Sequence, residues 1–179
     1  MSGSSSSVQY GQVPFQFVNG FGIENSPLDP NTVLIVYYGR TLDSNYTNQL
    51  AMSPGLVLID LNVIGIGGLD HGTLVPNKVY AVYVAWDTVS GNPTSAFISS
   101  SYYHPTMPYG YNSVKLVGYA ATDGSSYFRQ AKWTPYGSSA YRNMIYTPSV
   151  AVLQNGTAST ETDIDLISYI PNLSGGNQI

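Results

Sequence analysis

The segment V-Y-A-V-Y-V-A-W-D at Val79–Asp87 lies within the region Gly68–Ser125, whose pattern decides the fold. Short apolar or alternating runs follow one another there. They are separated by turn-forming sequences such as S-G-N-P-T at 90–94 and P-T-M-P-Y-G-Y at 105–111. Alternation with a period of two, interrupted by turn residues, is typical of antiparallel β-strands. This region therefore predicts a β domain.

The same pattern continues on both sides of this region and predicts further short strands. Thr32–Tyr38 is rich in the β-branched and aromatic residues that favour strands. The other predicted strands are Leu56–Val63, Thr94–Ser101, Ser113–Thr122, Tyr127–Thr134, Tyr141–Tyr146, Val150–Leu153 and Thr162–Leu166. A further segment, Phe15–Val18, is either a short strand or part of an extended arm.

Few helical signals interrupt this pattern. Asn48–Met52 is the best helical candidate, and Pro54 would end it after about one turn. The pair Asp123-Gly124 is a turn signal, so Val117–Ala121 and Tyr127–Lys132 are expected to form a hairpin. Many short strands without a long helix indicate an all-β fold, an antiparallel β-sandwich of jelly-roll type.

The chain divides into three predicted parts. Residues 1–30 form a flexible Ser/Gly tract followed by an extended arm, residues 31–170 the β-sandwich, and residues 171–179 a tail. Phe15, Phe17 and Phe21 make the arm too apolar for a free tail. We therefore expect these phenylalanines to dock onto a neighbouring subunit during assembly.

The composition indicates a protein with an unusual surface. Only 9% of the 179 residues are charged, whereas 16 are tyrosines. Ordinary soluble domains have about 25% charged residues. Tyrosine is common in strands and is also enriched at protein interfaces, where Lys and Glu are depleted. The tyrosines therefore have two interpretations, strand propensity and contact with partners.

Several classes of function are disfavoured by the same composition. The net charge is −4, and the six basic residues are dispersed, which argues against nucleic-acid binding. They are Arg40, Lys78, Lys115, Arg129, Lys132 and Arg142. The chain has no cysteine, and its apolar runs are too short to span a membrane. No cofactor or metal site is expected.

The candidate catalytic motifs have simpler structural explanations. Asp70-His71 is the only acid–histidine neighbour pair, but adjacent residues in an extended segment point in opposite directions, so a dyad is not expected. The glycines of G-I-G-G at 65–68 indicate a loop with positive φ. Asp87, Ser90 and Asn92 indicate a turn rather than a calcium loop. The sequence thus predicts no catalytic residue and no enzyme.

Aromatic residues in proline-containing loops are candidates for surface contacts. Such rings could stack on sugars or pack against the domain or a sister subunit. The candidates are Tyr102, Tyr103, Tyr109, Tyr111 and Trp133.

An ordered set of short segments resembles a domain of tailed-bacteriophage virion proteins, of the tail-fibre, spike, head-appendage or decoration type. The resemblance covers about residues 33–170. The segments that carry it are Gly39–Ser44, Gly67–Gly72, Tyr80–Val84, Asn92–Thr94, Pro105–Tyr111 and Val117–Gly124. It implies a non-enzymatic, β-rich module that works in a homo-oligomer.

The resemblance leads to a functional hypothesis. The chain is expected to be a virion structural protein, a capsid decoration protein or a tail or fibre component, assembled in the host cytoplasm. Its expected partners are copies of itself, as a homotrimer, and other virion proteins. The alternative is a carbohydrate-binding module that adsorbs to a host glycan.

Overall fold

The structure is a computed structural model and describes residues 19–43, 47–90, 92–135 and 142–146. These residues form nine β-strands. No helix in the described part of the chain is long and apolar enough to cross a membrane. The strands are β1 (Asn19–Gly20), β2 (Ile23–Asn25), β3 (Val33–Leu42), β4 (Gln49–Asp60), β5 (Val79–Trp86), β6 (Ser95–Ser99), β7 (Ser113–Ala121), β8 (Ala131–Pro135) and β9 (Arg142–Tyr146). All pairings between these strands are antiparallel. The predicted all-β fold is confirmed.

The strands form two sheets. In the six-stranded sheet, β4 pairs with one side of β3, and both β1 and β2 pair with the other side. β8 and then β9 continue this sheet beyond β2. The three-stranded sheet has the order β6-β5-β7. The short strands β1 and β2 lie within the segment 1–30 that the sequence assigned to an arm.

A shared core holds the two sheets together as a β-sandwich. Its buried apolar side chains come from both sheets. They include Phe21, Leu34, Val36 and Ile59 on one side and Tyr80, Val82, Val84, Ile98 and Val117 on the other. A Cβ atom on Gly39 would lie 2.3 Å from the Phe21 ring, so glycine is needed where this ring packs.

A second core lies on the outer face of the three-stranded sheet. Every residue of β5 is buried, since its alternate side chains face the first core and this second cluster. The second cluster consists of Val79, Ala81, Tyr83, Ala85, Phe97, Val114, Tyr119 and Ala121. The strand Val79–Asp87 is thus confirmed, and its lack of polar positions is explained by burial on both faces.

The predicted hairpin after β7 is wrong. β7 pairs with β5, whereas β8 crosses to the six-stranded sheet and pairs with β2 and β9. The two sides of the turn are joined only next to it, by the bridge between Thr122 and Phe128 and by hydrogen bonds from Arg129 to Ala121 O and Thr122 O and from Asp123 N to Tyr127 O. Phe128 is buried in the core between the sheets, which draws the chain across. The turn itself is confirmed, because the Asp123 carboxylate accepts the N–H groups of Ser125 and Tyr127.

The predicted helical turn at Asn48–Met52 is also wrong, because β4 begins at Gln49. Leu50 pairs with Thr41 of β3 and is buried in the core, and this burial favours the extended conformation. Pro54 is tolerated within β4 because it lies at the register shift between β3 and β4, and because β3 is the one strand that pairs with β4 among the described residues. The predicted strands at 15–18, 150–153 and 162–166 lie outside the described residues.

Candidate functional site

A loop at residues 100–112 covers the outer face of the three-stranded sheet, and we call it the loop layer. Its side chains Tyr102, Met107 and Tyr111 pack against the second core. Beneath it, the rings of Tyr83 and Phe97 stack with their centroids 5.4 Å apart. The loop layer is therefore a structural cover as well as the location of most predicted contact residues.

Asp70 anchors the loop layer to the sheet. Its side chain is completely buried. The carboxylate accepts hydrogen bonds from Ser99 Oγ at 2.7 Å and from the backbone N–H of Thr106 at 2.9 Å. It also accepts the backbone N–H of His71 at 2.8 Å. A buried carboxylate is stable only when it is hydrogen-bonded in this way.

The expectation that Asp70 and His71 cannot form a dyad is wrong. His71 Nδ1 lies 3.1 Å from Asp70 Oδ1 and 2.9 Å from Thr106 Oγ1. Position 71 is in a bend before Gly72, which has a φ of 82°, so the alternation of an extended strand does not apply. However, both contacts use the same ring nitrogen, whereas a catalytic triad places carboxylate and nucleophile on opposite nitrogens. The contacts of Asp70 and His71 with Thr106 therefore hold the loop layer against the bend at residues 70–72.

Two of the predicted contact tyrosines are used within the domain. The Tyr102 hydroxyl donates to Val79 O at 3.1 Å, and its ring meets Tyr119 edge to face. The Tyr111 hydroxyl donates to Pro93 O at 3.0 Å. These two side chains stabilise the loop layer, in agreement with the packing interpretation.

The other two tyrosines of the loop layer remain accessible. Tyr109 is fully exposed, and Tyr103 is partly exposed. Tyr109 lies in a tight turn closed by the hydrogen bond from Tyr111 N to Pro108 O. Gly110, with a φ of 84°, permits this turn. Tyr109 is therefore displayed on an ordered loop.

The turn after β5 is tied to the same end of the domain. Asp87 accepts the backbone N–H groups of Val89 and Ser90, and these hydrogen bonds lower the pKa of the Asp87 carboxyl. This confirms the predicted turn. Asn92 Nδ2 donates to Gly110 O at 2.6 Å, which joins this turn to the Tyr109 loop. Val89, 84% exposed, adds an apolar side chain to this surface.

The predicted assembly arm is only partly described. Phe15 and Phe17 lie outside the described residues. Phe21 is 0% exposed and packs in the core between the sheets, so its ring is not available to a partner. The sequence assigned Phe21 to the arm because its long-range contact with Gly39 of β3 leaves no local signal.

Trp133 lies in β8, between β2 and β9 in the six-stranded sheet. Its backbone pairs with Ile23 on one side and with Met144 on the other. The position is therefore in a strand rather than in a loop, although Pro135 follows closely.

The outer face of the six-stranded sheet exposes apolar side chains near β4. Tyr38 is 62% exposed, and Leu56 and Leu58 are each 50% exposed. Beside them, Tyr37 OH donates to Glu24 Oε1, and Lys132 Nζ lies 2.9 Å from Glu24 Oε2. The hydrogen bond from Tyr37, followed by Lys132, lowers the pKa of Glu24. This face is thus an apolar strip beside one ion pair.

Lys115 is a buried basic residue whose environment the sequence analysis did not identify. It lies opposite Val84 on the inner side of β7 and is 2% exposed. Burial lowers the pKa of its ammonium group to about 8, whereas the nearby Asp43 raises it. Its position between Val114 and Leu116, which face the second core, was the available signal. Burial denies a substrate access to this amine.

Two observations on the described residues concern metal and small-molecule binding. It contains no group of three or more His, Cys, Asp or Glu side chains that could hold a metal ion. A cavity between Ile23, Leu34, Tyr119 and Ala131 has room only for about a water molecule. Binding sites for small molecules are usually far larger, about 300–1,000 Å³.

Comparison with protein-family models, curated proteins and solved structures finds no match to this chain.

Proposed function

We propose that the chain is a non-enzymatic structural protein of a tailed-bacteriophage virion, either a capsid decoration protein or a tail or fibre component. It acts by assembling with copies of itself and with other virion proteins. The ordered sequence resemblance supports the virion assignment, and the low charge and high tyrosine content support an extensive contact surface.

One observation carries the proposal of assembly. The polar groups with catalytic potential, Asp70, His71 and Asp87, are bonded to loops of their own domain, whereas apolar side chains remain on the surface. Exposed apolar groups on an ordered scaffold favour contact with other proteins.

The proposal is tested by locating the protein in virus particles. Antibodies against the folded chain should label purified virions at one defined structure, and its absence from particles would overturn the proposal. A variant that lacks residues 1–18 tests the arm with Phe15 and Phe17. We expect it to fold but to be lost from particles. The deletion must end there because Asn19–Asn25 contains β1 and β2.

A second candidate function, binding of a host glycan, is favoured by the exposure of Tyr109 on the loop layer. Aromatic rings in exposed loops can stack on sugars. Under this alternative, Tyr109→Ala should abolish binding on a host polysaccharide array. The matched control Tyr127→Ala changes another exposed tyrosine and should leave binding unchanged. An array without any signal for the unmodified protein would rule this function out.

A further inference from the structure

The edge of β4 has backbone groups that face away from its sheet. Among the described residues, β4 pairs with β3 alone. Asp60 N–H donates to Gly67 O on the side away from β3, whereas Leu61 N–H donates to Thr32 O on the β3 side. Backbone groups alternate in direction along an antiparallel strand. The N–H and C=O groups of Leu56 and Leu58 therefore point outward.

This free edge is short and well bounded. At one end, Gly67 already covers Asp60. At the other end, Pro54 has no N–H group to donate. A Cβ atom on Gly55 would meet no atom within 4 Å, so the face of the strand to which that atom would point is also open there. Between these two points, the stretch 56–58 has outward-facing backbone groups that can pair with another strand.

By contrast, the β6 edge of the three-stranded sheet is covered by another segment of the chain. Gly67 N–H donates to Ala96 O of β6, and Ile98 N–H donates to Gly68 O. Leu69 also forms a parallel bridge with Ile98. The segment that follows β4 thus covers the β6 edge along its length but covers β4 only at Asp60.

The chemistry of the β4 edge fits a copy of itself. Segment 49–59 contains no charged residue, although free edges are usually protected by charges. A contact between two identical edges brings each residue close to its own copy, so the absence of charge removes like-charge repulsion. The half-exposed side chains of Leu56 and Leu58 add apolar surface beside this edge, on the outer face of the six-stranded sheet.

We propose that the β4 edge pairs antiparallel with the β4 edge of a second copy of this chain, about a two-fold axis at Val57. Leu56 of one copy then lies opposite Leu58 of the other. The outward N–H group of each residue donates a hydrogen bond to the outward C=O group of the residue opposite. This inference rests on the proposed function in assembly and names its partner and register.

The expected contact is weak in isolation. Stable dimers bury about 800 Å² on each partner, more than a stretch of this length supplies. The contact therefore forms at high concentration or beside other contacts on a particle. It joins two copies, so the predicted trimer needs a different surface.

A single cysteine tests the register, because the chain has none of its own. In Val57→Cys, the two thiols meet at a non-hydrogen-bonded pair, where Cα atoms are about 4.5 Å apart and a disulfide fits. Under mild oxidation we expect a covalent dimer to form at least about tenfold faster than in Tyr109→Cys, whose thiol is more exposed. Leu58→Cys alone should react slowly, whereas a variant with cysteines at both 56 and 58 should cross-link.

Equal rates for Val57→Cys and Tyr109→Cys would overturn the register. A second measurement does not depend on the cysteines. In sedimentation equilibrium, the mass of the unmodified protein should rise from 19.3 kDa towards twice that value with concentration. Leu58→Lys should keep the monomer mass at every concentration. The mass of the control Val89→Lys should rise with concentration as it does for the unmodified protein. Oligomers that persist in Leu58→Lys would overturn the β4 contact but not the proposed function. Absence of the protein from virions would overturn the proposed function.

Discussion

The two sheets of the sandwich differ in what lies on their outer faces. The three-stranded sheet carries a second core and the loop layer, so β5 is buried throughout. The six-stranded sheet exposes Tyr38, Leu56 and Leu58 on its outer face. A solvated face of an antiparallel sheet is normally polar. The difference teaches that the chain's own loop covers one outer face, whereas the other outer face leaves apolar side chains exposed, and this second face is the surface that we propose for assembly.

The largest expected effect distinguishes the two outer faces. Phe97→Ala removes a buried ring that stacks on Tyr83, and it should lower the free energy of unfolding by about 3–5 kcal/mol. Leu58→Ala on the other sheet should lower it by less than about 1 kcal/mol, because Leu58 is half exposed. Urea denaturation of the two variants measures both values. Equal losses would show that the two faces do not differ as described.

A smaller effect should follow from detaching the loop layer. Asp70→Ala leaves Ser99 Oγ and the Thr106 N–H without their buried acceptor, at a cost of about 2–3 kcal/mol. The matched change His71→Ala removes a largely exposed ring and should cost less than about 0.5 kcal/mol. Thermal unfolding compares the two variants, and amide exchange at 101–107 should accelerate only in Asp70→Ala. A larger loss in His71→Ala would contradict this anchoring role.

The effect expected from Lys115 is spread over a range of pH and appears as a pH dependence of stability. Its pKa is about 8 in the folded protein and 10.5 as an ordinary lysine, so the unfolded chain binds the proton more tightly. The free energy of unfolding should therefore rise between pH 8 and about pH 10, by at most about 1.4 kcal/mol per pH unit. Burial raises the pKa values of Tyr83 and Tyr119 in the folded protein. Above that range these tyrosines therefore ionise in the unfolded chain first, which lowers the free energy of unfolding and opposes the rise.

The matched variants for this prediction are Lys115→Met and Lys132→Met. Urea denaturation at several pH values should show the rise in Lys132→Met and in the unmodified protein. It should be missing from Lys115→Met. A rise that survives in Lys115→Met would assign the pH dependence to another group.

Local features of the fold were predictable from the sequence. The alternation in Val79–Asp87 and the β-branched run in Thr32–Tyr38 gave strands close to β5 and β3, since these patterns act over a few residues. The turns at Asp87 and Asp123 were predictable for the same reason, because each carboxylate bonds to nearby backbone N–H groups.

Long-range features were not predictable. The hairpin after β7 failed because the burial of Phe128 between the sheets depends on strands far away in the sequence. The run Leu56–Ile59 is apolar at every position, so no pattern shows that Leu56 and Leu58 face solvent. The candidate tyrosines likewise differ only through tertiary contacts, which bury Tyr102 partly and leave Tyr109 exposed.

Amide hydrogen exchange of Leu56 and Leu58 tests most directly whether the β4 edge of the six-stranded sheet is an assembly surface. We expect both N–H groups to exchange fast in dilute solution and to become protected as the protein concentration rises. Ile98 N–H, which donates to Gly68 O, should be protected at every concentration. Fast exchange of Leu56 and Leu58 at every concentration, in a protein that still forms oligomers, would contradict the account.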